Sequence, residues 1–174
     1  MTYILENFFR NSVVSIVIIT FIIAITLVDR YLMALVLGLI LSGVLNYSIK
    51  YTLDLICDNT TRRYFLRPIN AKGCGACCQE TPANNKIGFP SGHSQIVWFF
   101  SFYLILYSYY KLSYNIPSII ILIFFATSVS ISRLGWLGNQ CHTPGQVIAG
   151  TLLGCYTSYY YFYLVKSVLM VINF

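Results

Sequence analysis

Residues 88–107 read GFPSGHSQIVWFFSFYLILY. A short turn rich in Pro and Gly runs into His93, and an apolar stretch of bilayer length follows. A histidine entering such a helix needs a partner or a task, because unpaired polar groups are costly in hydrocarbon. Two other polar islands interrupt the apolar chain. One contains Arg67-Pro68; the other runs from Ser132-Arg133 to His142. The fold follows from how the apolar runs place these islands.

The composition sets the class. Of 174 residues, 57% are hydrophobic and 9% charged, against about 25% charged in ordinary soluble domains. Mean hydropathy is +0.71. One all-α integral membrane domain over residues 1–174 is expected, a bundle of about five transmembrane helices with its site at one membrane surface. The aromatic share of 17% suits lipid-facing and interfacial positions. The net charge of +6 points to anionic lipid headgroups or an anionic substrate. No exposed basic stripe argues for nucleic acid.

Uncharged runs predict spans at about 12–28, 31–49, 93–110, 117–131 and 146–165, each near the ~17–25 residues needed to cross a bilayer. The first is expected to be retained, because no small-residue cleavage pattern follows it and a second span starts at once. Asp29-Arg30 makes the first turn a tight hairpin. Polar loops are expected at 50–92 and 132–145. Gly150-x-x-x-Gly154 in the last span matches a close-packing pattern for helices in lipid.

Five spans put residues 1–11, the 50–92 loop and the 132–145 loop on one side. Lys50, Arg67, His93, Arg133 and His142 then share one surface. Two histidines among cations, with no spaced carboxylate pair, suit an anionic ester better than a metal-dependent hydrolase. Arg and Lys hold phosphate oxygens, and the start of a helix offers N–H groups to an anion. One histidine can attack phosphorus while the other protonates the leaving oxygen.

Arg67-Pro68, Pro90-Ser91-Gly92-His93 and Ser132-Arg133 with His142 resemble, in order, the three-part signature of the type 2 phosphatidic acid phosphatase superfamily. That signature is Lys-x6-Arg-Pro, Pro-Ser-Gly-His and Ser-Arg-x5-His-x3-Asp. Ser94-Gln95 after the first histidine, and His142-Thr143 followed by Gln146-Val147, look most like the dolichyldiphosphatase branch. The resemblance covers roughly residues 40–160. It implies His142 as nucleophile and His93 as the acid and base. It implies Lys50, Arg67, Ser91, Gly92 and Arg133 as substrate-binding phosphate holders. No metal and no organic cofactor is implied. Haloperoxidases that bind vanadate share the motif logic but are soluble.

Three departures accompany the resemblance. Thr60 stands where the motif lysine would fall, so Lys50 substitutes, with Arg62 or Arg63 as the other choices. Eight residues rather than five separate Arg133 from His142. Gln146 replaces the usual Asp and is expected to orient His142 by hydrogen bond. Plainer readings stand beside these: Ser91 capping the third span, His93 bonded to a loop carbonyl, Lys50 and Arg133 as headgroup anchors, Arg62 and Arg63 as a solvated or lipid-facing pair, and the Tyr159–Tyr161 run as lipid-facing or interfacial.

Five of the six cysteines (Cys57, Cys74, Cys77, Cys78 and Cys141) lie in polar segments. Disulfides with Cys57 or Cys141 are expected on an extracytoplasmic face; Cys74, Cys77 and Cys78 could instead bind zinc. Eight of eleven Lys and Arg on the active face favour the cytoplasm, falling to five against three once those assigned to catalysis are discounted. The cysteines and the Asn59-Thr60-Thr61 sequon favour a lumen. The resemblance also implies the endoplasmic reticulum with a lumenal site. The expected activity is metal-independent hydrolysis of a lipid-linked pyrophosphate, dolichyl or another polyprenyl diphosphate. A broader phosphatase acting on phosphatidic acid is the alternative within the class. A membrane scaffold using its Cys-rich loop for zinc or a partner is the alternative outside it.

Overall fold

The computed structural model describes residues 2–71, 74, 85–113, 115–135 and 140–172. Its elements are α1 (Thr2–Leu27), α2 (Arg30–Ile56), a short α3 (Asn59–Arg62) with a 3-10 turn at Arg63–Phe65, α4 (Gly92–Tyr110), α5 (Ile116–Ser132) and α6 (Pro144–Ile172). Among the described residues the only extended pairings are two isolated bridges, Leu66 with Ile87 and Leu134 with Gln140. Two segments, Asn7–Leu27 and Arg30–Ile56, are long and apolar enough to cross a membrane by length and composition.

Local chemistry sets the helix ends. The Asp29 carboxylate accepts N–H bonds from Tyr31 at 2.8 Å and Leu32 at 3.1 Å, capping α2 one residue after α1 has turned. It also accepts from the Tyr107 hydroxyl at 2.5 Å, tying this turn to the far end of α4. The Lys111 ammonium covers the rings of Tyr31 and Tyr107 at the same end. Asn115 caps α5 by accepting from the Ser118 N–H at 2.7 Å, and Pro117 sits where its missing N–H costs nothing.

The polar loop begins later than the hydropathy suggests. Helix α2 runs through Lys50 to Ile56, and Asp54 beyond the expected span accepts from Arg62 Nε at 2.8 Å. Arg62 also donates to the Asn85 carbonyl at 3.2 Å. It is therefore a partly exposed, ion-paired brace at this surface.

Helices α4 and α6 form the centre. Gly150 and Gly154 lie against the carbonyls of Ser91 and Gln95, where an added Cβ would collide. One turn further on, the Ser158 hydroxyl donates to the Phe99 carbonyl at 2.9 Å. The small-residue stripe thus does specific work: it lets α6 touch the backbone of α4 every fourth residue. Tyr161 departs from expectation. Its ring packs on Phe99 and Tyr103 and its hydroxyl donates to the Ala34 carbonyl at 2.8 Å. It is a core residue, whereas Tyr159 and Tyr160 are exposed.

Candidate active site

Arg67 is placed by a short two-stranded contact. Its N–H donates to the Lys86 carbonyl at 3.1 Å, and the Gly88 N–H donates to the Phe65 carbonyl at 2.7 Å. The rings of Phe65 and Phe89 meet edge to face across this pairing. The chain then crosses the cis Phe89-Pro90 bond into Ser91. Arg67 Nε and Nη1 are buried without hydrogen-bond partners, which suits a fork awaiting an anion. Burial pulls its guanidinium below the usual value.

Ser91 occupies the cap position of α4, yet its hydroxyl makes no capping bond. It is fully buried and accepts from the Ser94 hydroxyl at 3.1 Å. The capping reading is corrected: the turn is held instead by the Ser91 N–H donating to the Gln146 carbonyl at 2.9 Å. Asn46 braces it from α2, donating to the Pro90 carbonyl at 3.3 Å and to Gln95 Oε1 at 2.8 Å. Gln95 in turn donates to the Ser42 carbonyl and hydroxyl at 2.9 and 3.0 Å. Gly92 lies beside Asn46, leaving little room for a side chain.

Arg133 and His142 are locked together through the backbone. The Arg133 carbonyl accepts N–H bonds from both Cys141 and His142 at 3.1 Å. The intervening loop closes at the Leu134–Gln140 bridge, so a longer loop leaves the Arg133–His142 spacing intact. A disulfide joins Cys141 to Cys74, and Arg133 Nη2 donates to the Cys74 carbonyl at 3.4 Å and to Cys141 Sγ at 3.1 Å. Cys57 is a free thiol, so a disulfide through it is not formed. With Cys74 committed to Cys141, the zinc set loses one of its three thiolates; Cys77 and Cys78 lie outside the described residues.

The tautomer of His142 follows from Gln146. The Gln146 amide nitrogen donates to the Leu66 carbonyl at 2.8 Å and the Phe65 carbonyl at 3.4 Å. Its oxygen accepts from the Thr143 N–H at 3.3 Å. These partners fix which end of the amide is oxygen. That oxygen lies 3.1 Å from His142 Nδ1, so Nδ1 carries the proton and Nε2 keeps its lone pair. Burial, then the charges of Arg67, Lys50 and Arg133, push the His142 pKa well below the ordinary imidazole value, while the Gln146 bond acts weakly the other way.

His93 opens α4, and its Nε2 lies 2.9 Å from the Arg10 carbonyl in α1. A carbonyl only accepts, so Nε2 is the protonated nitrogen and Nδ1 is left for chemistry. The partner is a helix carbonyl rather than a loop carbonyl. The charges of Arg133, Arg67 and Lys50 all act on this ring too. The same three cations therefore bear on both imidazoles. Lys50 and Arg67 line one polar cleft of about 410 Å³, together with Asp54 and Lys86. Arg63 is exposed and does not line this cleft.

A family model described as the PAP2 superfamily matches residues 31–169. The chain belongs to the PAP2 superfamily. Membership implies a phosphatase hydrolase acting on lipid-like phosphates. Neither curated proteins nor solved structures gave a match. Helix α1 lies outside the matched residues.

Two features escaped the sequence reading, the bracing role of Asn46 and Gln95 and the burial of Arg10. Asn46 and Gln95 are buried polar residues inside apolar runs, and that placement alone was a usable signal. Arg10 falls in residues 1–11, expected to precede the first span, but it is a buried residue of α1 whose side chain donates to Asn7. Nothing in the sequence announced that its carbonyl would meet His93.

Proposed function

We propose that the chain is a membrane-embedded, metal-independent phosphatase that hydrolyses a polyprenyl diphosphate to the monophosphate and inorganic phosphate. The observation that carries this reading is the Gln146–His142 bond, which leaves Nε2 unprotonated within the field of three cations whose charges act on His93 as well. Five helices, α1, α2, α4, α5 and α6, form the bundle, with the site at one surface. The Cys74–Cys141 disulfide supports an oxidising, lumenal face, as in the endoplasmic reticulum.

In this mechanism Lys50, Arg67 and Arg133 hold the oxygens of the terminal phosphoryl group, with Ser91 and Gly92 at the start of α4. His142 Nε2 attacks phosphorus in line. The bond from phosphorus to the bridging oxygen breaks, and that oxygen takes the proton that His93 Nδ1 carries once the bound anionic pyrophosphate favours the charged imidazole. The lipid monophosphate leaves. A water then gives a proton back to His93 Nδ1 as its oxygen attacks the phosphohistidine. The phosphorus–nitrogen bond breaks, releasing phosphate and restoring neutral His142. The Arg10 carbonyl keeps the His93 ring aimed throughout.

Ser94-Gln95 and His142-Thr143 with Gln146-Val147 favour the diphosphate over phosphatidic acid by their resemblance to the dolichyldiphosphatase branch. The test is phosphate release in detergent with EDTA present, comparing polyprenyl diphosphate with phosphatidic acid. The reading expects faster release from the diphosphate, and its loss in His142→Ala. A chain that releases phosphate from neither, or a His142→Ala variant as active as wild type, would overturn it. A scaffold would tolerate His142→Ala and respond to Cys77→Ser.

A further inference from the structure

An apolar groove of about 450 Å³ runs along one face of α1, walled on the other sides by α2, α4 and α5. Its α1 wall extends from Phe8 to Ile23, about 22 Å at 1.5 Å per residue. The wall is opened by small residues. Ser12, Ser15 and Thr20 all face it, and two of them turn their hydroxyls back on their own helix. Ser12 donates to the Phe9 carbonyl at 2.8 Å and Thr20 to the Ile16 carbonyl at 2.6 Å. The wall is therefore wide yet presents almost no free polar group, which suits hydrocarbon rather than water or a polar ligand.

The α4 wall connects this groove to the chemistry. Phe100 and Leu104 line it, and they stand seven and eleven residues after His93. At 100° per residue those positions fall on the same stripe of the helix as His93. A chain lying in the groove thus leads along α4 toward the imidazole assigned to the leaving oxygen. Helix α1 also meets that imidazole directly, through the Arg10 carbonyl. One helix therefore both walls the groove and aims the acid. It lies outside the residues 31–169 that match the superfamily model.

We infer that the groove between α1, α4 and α5 binds the hydrocarbon tail of the substrate, an isoprenoid chain, and sets the leaving oxygen against His93. The inference rests on the proposed diphosphate hydrolysis and adds where the tail goes. Tail and bilayer are similarly apolar, so the groove contributes little through partitioning. It contributes orientation, and misplacing reacting atoms by about 1 Å is enough to cost ~100-fold. The effect should appear in kcat.

The test fills the groove from its exposed side. Ser15 is solvent- or lipid-accessible, so Ser15→Trp adds bulk without entering the core. Rates are measured for a long polyprenyl diphosphate and for a single-isoprene diphosphate, which has almost no tail. The kcat ratio of long to short substrate is expected to fall at least tenfold. An unchanged ratio would overturn the inference. Wild-type protein provides the second arm: a polyprenyl diphosphate carrying a photoreactive group in its tail should label α1 between Phe8 and Ile23 and the Phe100–Leu104 stretch, and unlabelled substrate should compete. Labelling elsewhere, or labelling that only bulk lipid displaces, would mean the groove is ordinary annular surface. Failure of wild type on the long polyprenyl diphosphate would instead count against the proposed reaction.

Discussion

Gln146→Leu separates the proposed account from a merely packed histidine. The side chain is 2% exposed and keeps its volume, so little cavity forms. It loses its two shorter bonds, to the Leu66 carbonyl at 2.8 Å and His142 Nδ1 at 3.1 Å, and with them the long ones to the Thr143 N–H at 3.3 Å and the Phe65 carbonyl at 3.4 Å, which add little. Leaving a buried group unpartnered costs about 1–3 kcal/mol. Two such groups give a destabilisation of about 2–4 kcal/mol once partial relaxation is allowed. For catalysis, losing the partner that fixes a histidine's orientation and tautomer typically costs about 10–100-fold, or ~1.4–2.8 kcal/mol in activation free energy. The assay is phosphate release from polyprenyl diphosphate in detergent with EDTA, normalised to the folded fraction from a thermal melt. Gln146→Glu supplies the control. It keeps an acceptor at Nδ1 while losing the donor to Leu66. It should retain more kcat than Gln146→Leu, and its carboxylate should move the acid limb of the pH profile upward by favouring the charged imidazole. If Gln146→Leu keeps kcat within about threefold of wild type at matched folded fraction, the tautomer argument fails.

The remaining predictions address other parts of the site. Because the His142 pKa is lowered, its resonance in histidine-labelled protein should not titrate through the ordinary imidazole range near 6.5; a normal titration there would contradict the burial argument. The linkage has a definite sign. The unfolded imidazole takes up a proton that the folded one refuses, so this contribution to stability is present above about pH 6.5 and is lost as the pH falls. Reduction, or Cys74→Ser, opens a loop with a sequence separation of 67 residues and should cost about 2–4 kcal/mol. It should also lower activity by freeing the His142 loop, with both effects read in a thermal melt and the phosphate assay. Gly150→Leu drives a side chain into the Ser91 carbonyl. It should reduce kcat at least as severely as a fully folded Gln146→Leu, because it displaces the turn before His93.

Much of this arrangement was legible in the sequence because apolar runs and three short motifs carry it. The runs at 31–49, 93–110, 117–131 and 146–165 fall within α2, α4, α5 and α6, and the run at 12–28 passes the end of α1 by one residue; span counting expected the polar islands at one surface. Element ends were less legible. Helix α2 continues past Lys50 to Ile56, and Asp54 in that added stretch pairs with Arg62, a partner eight residues away that no local pattern encodes. Tyr161 was misread because neighbouring tyrosines share a composition but not a helix face; only packing against Phe99 and Tyr103 separates it from Tyr160. The braces at Asn46 and Gln95 were readable as buried polar residues, but their mutual partnership spans two helices. The Arg10–His93 bond joins residues 83 apart and depends wholly on tertiary structure.

The central claim is that His142 takes the phosphoryl group on Nε2. Rapid quenching with substrate labelled at the terminal phosphate tests it, under alkaline conditions that preserve phosphohistidine. The account predicts label on the peptide containing His142 in wild type and none there in His142→Ala. Label on another residue, or steady turnover in His142→Ala, would contradict it.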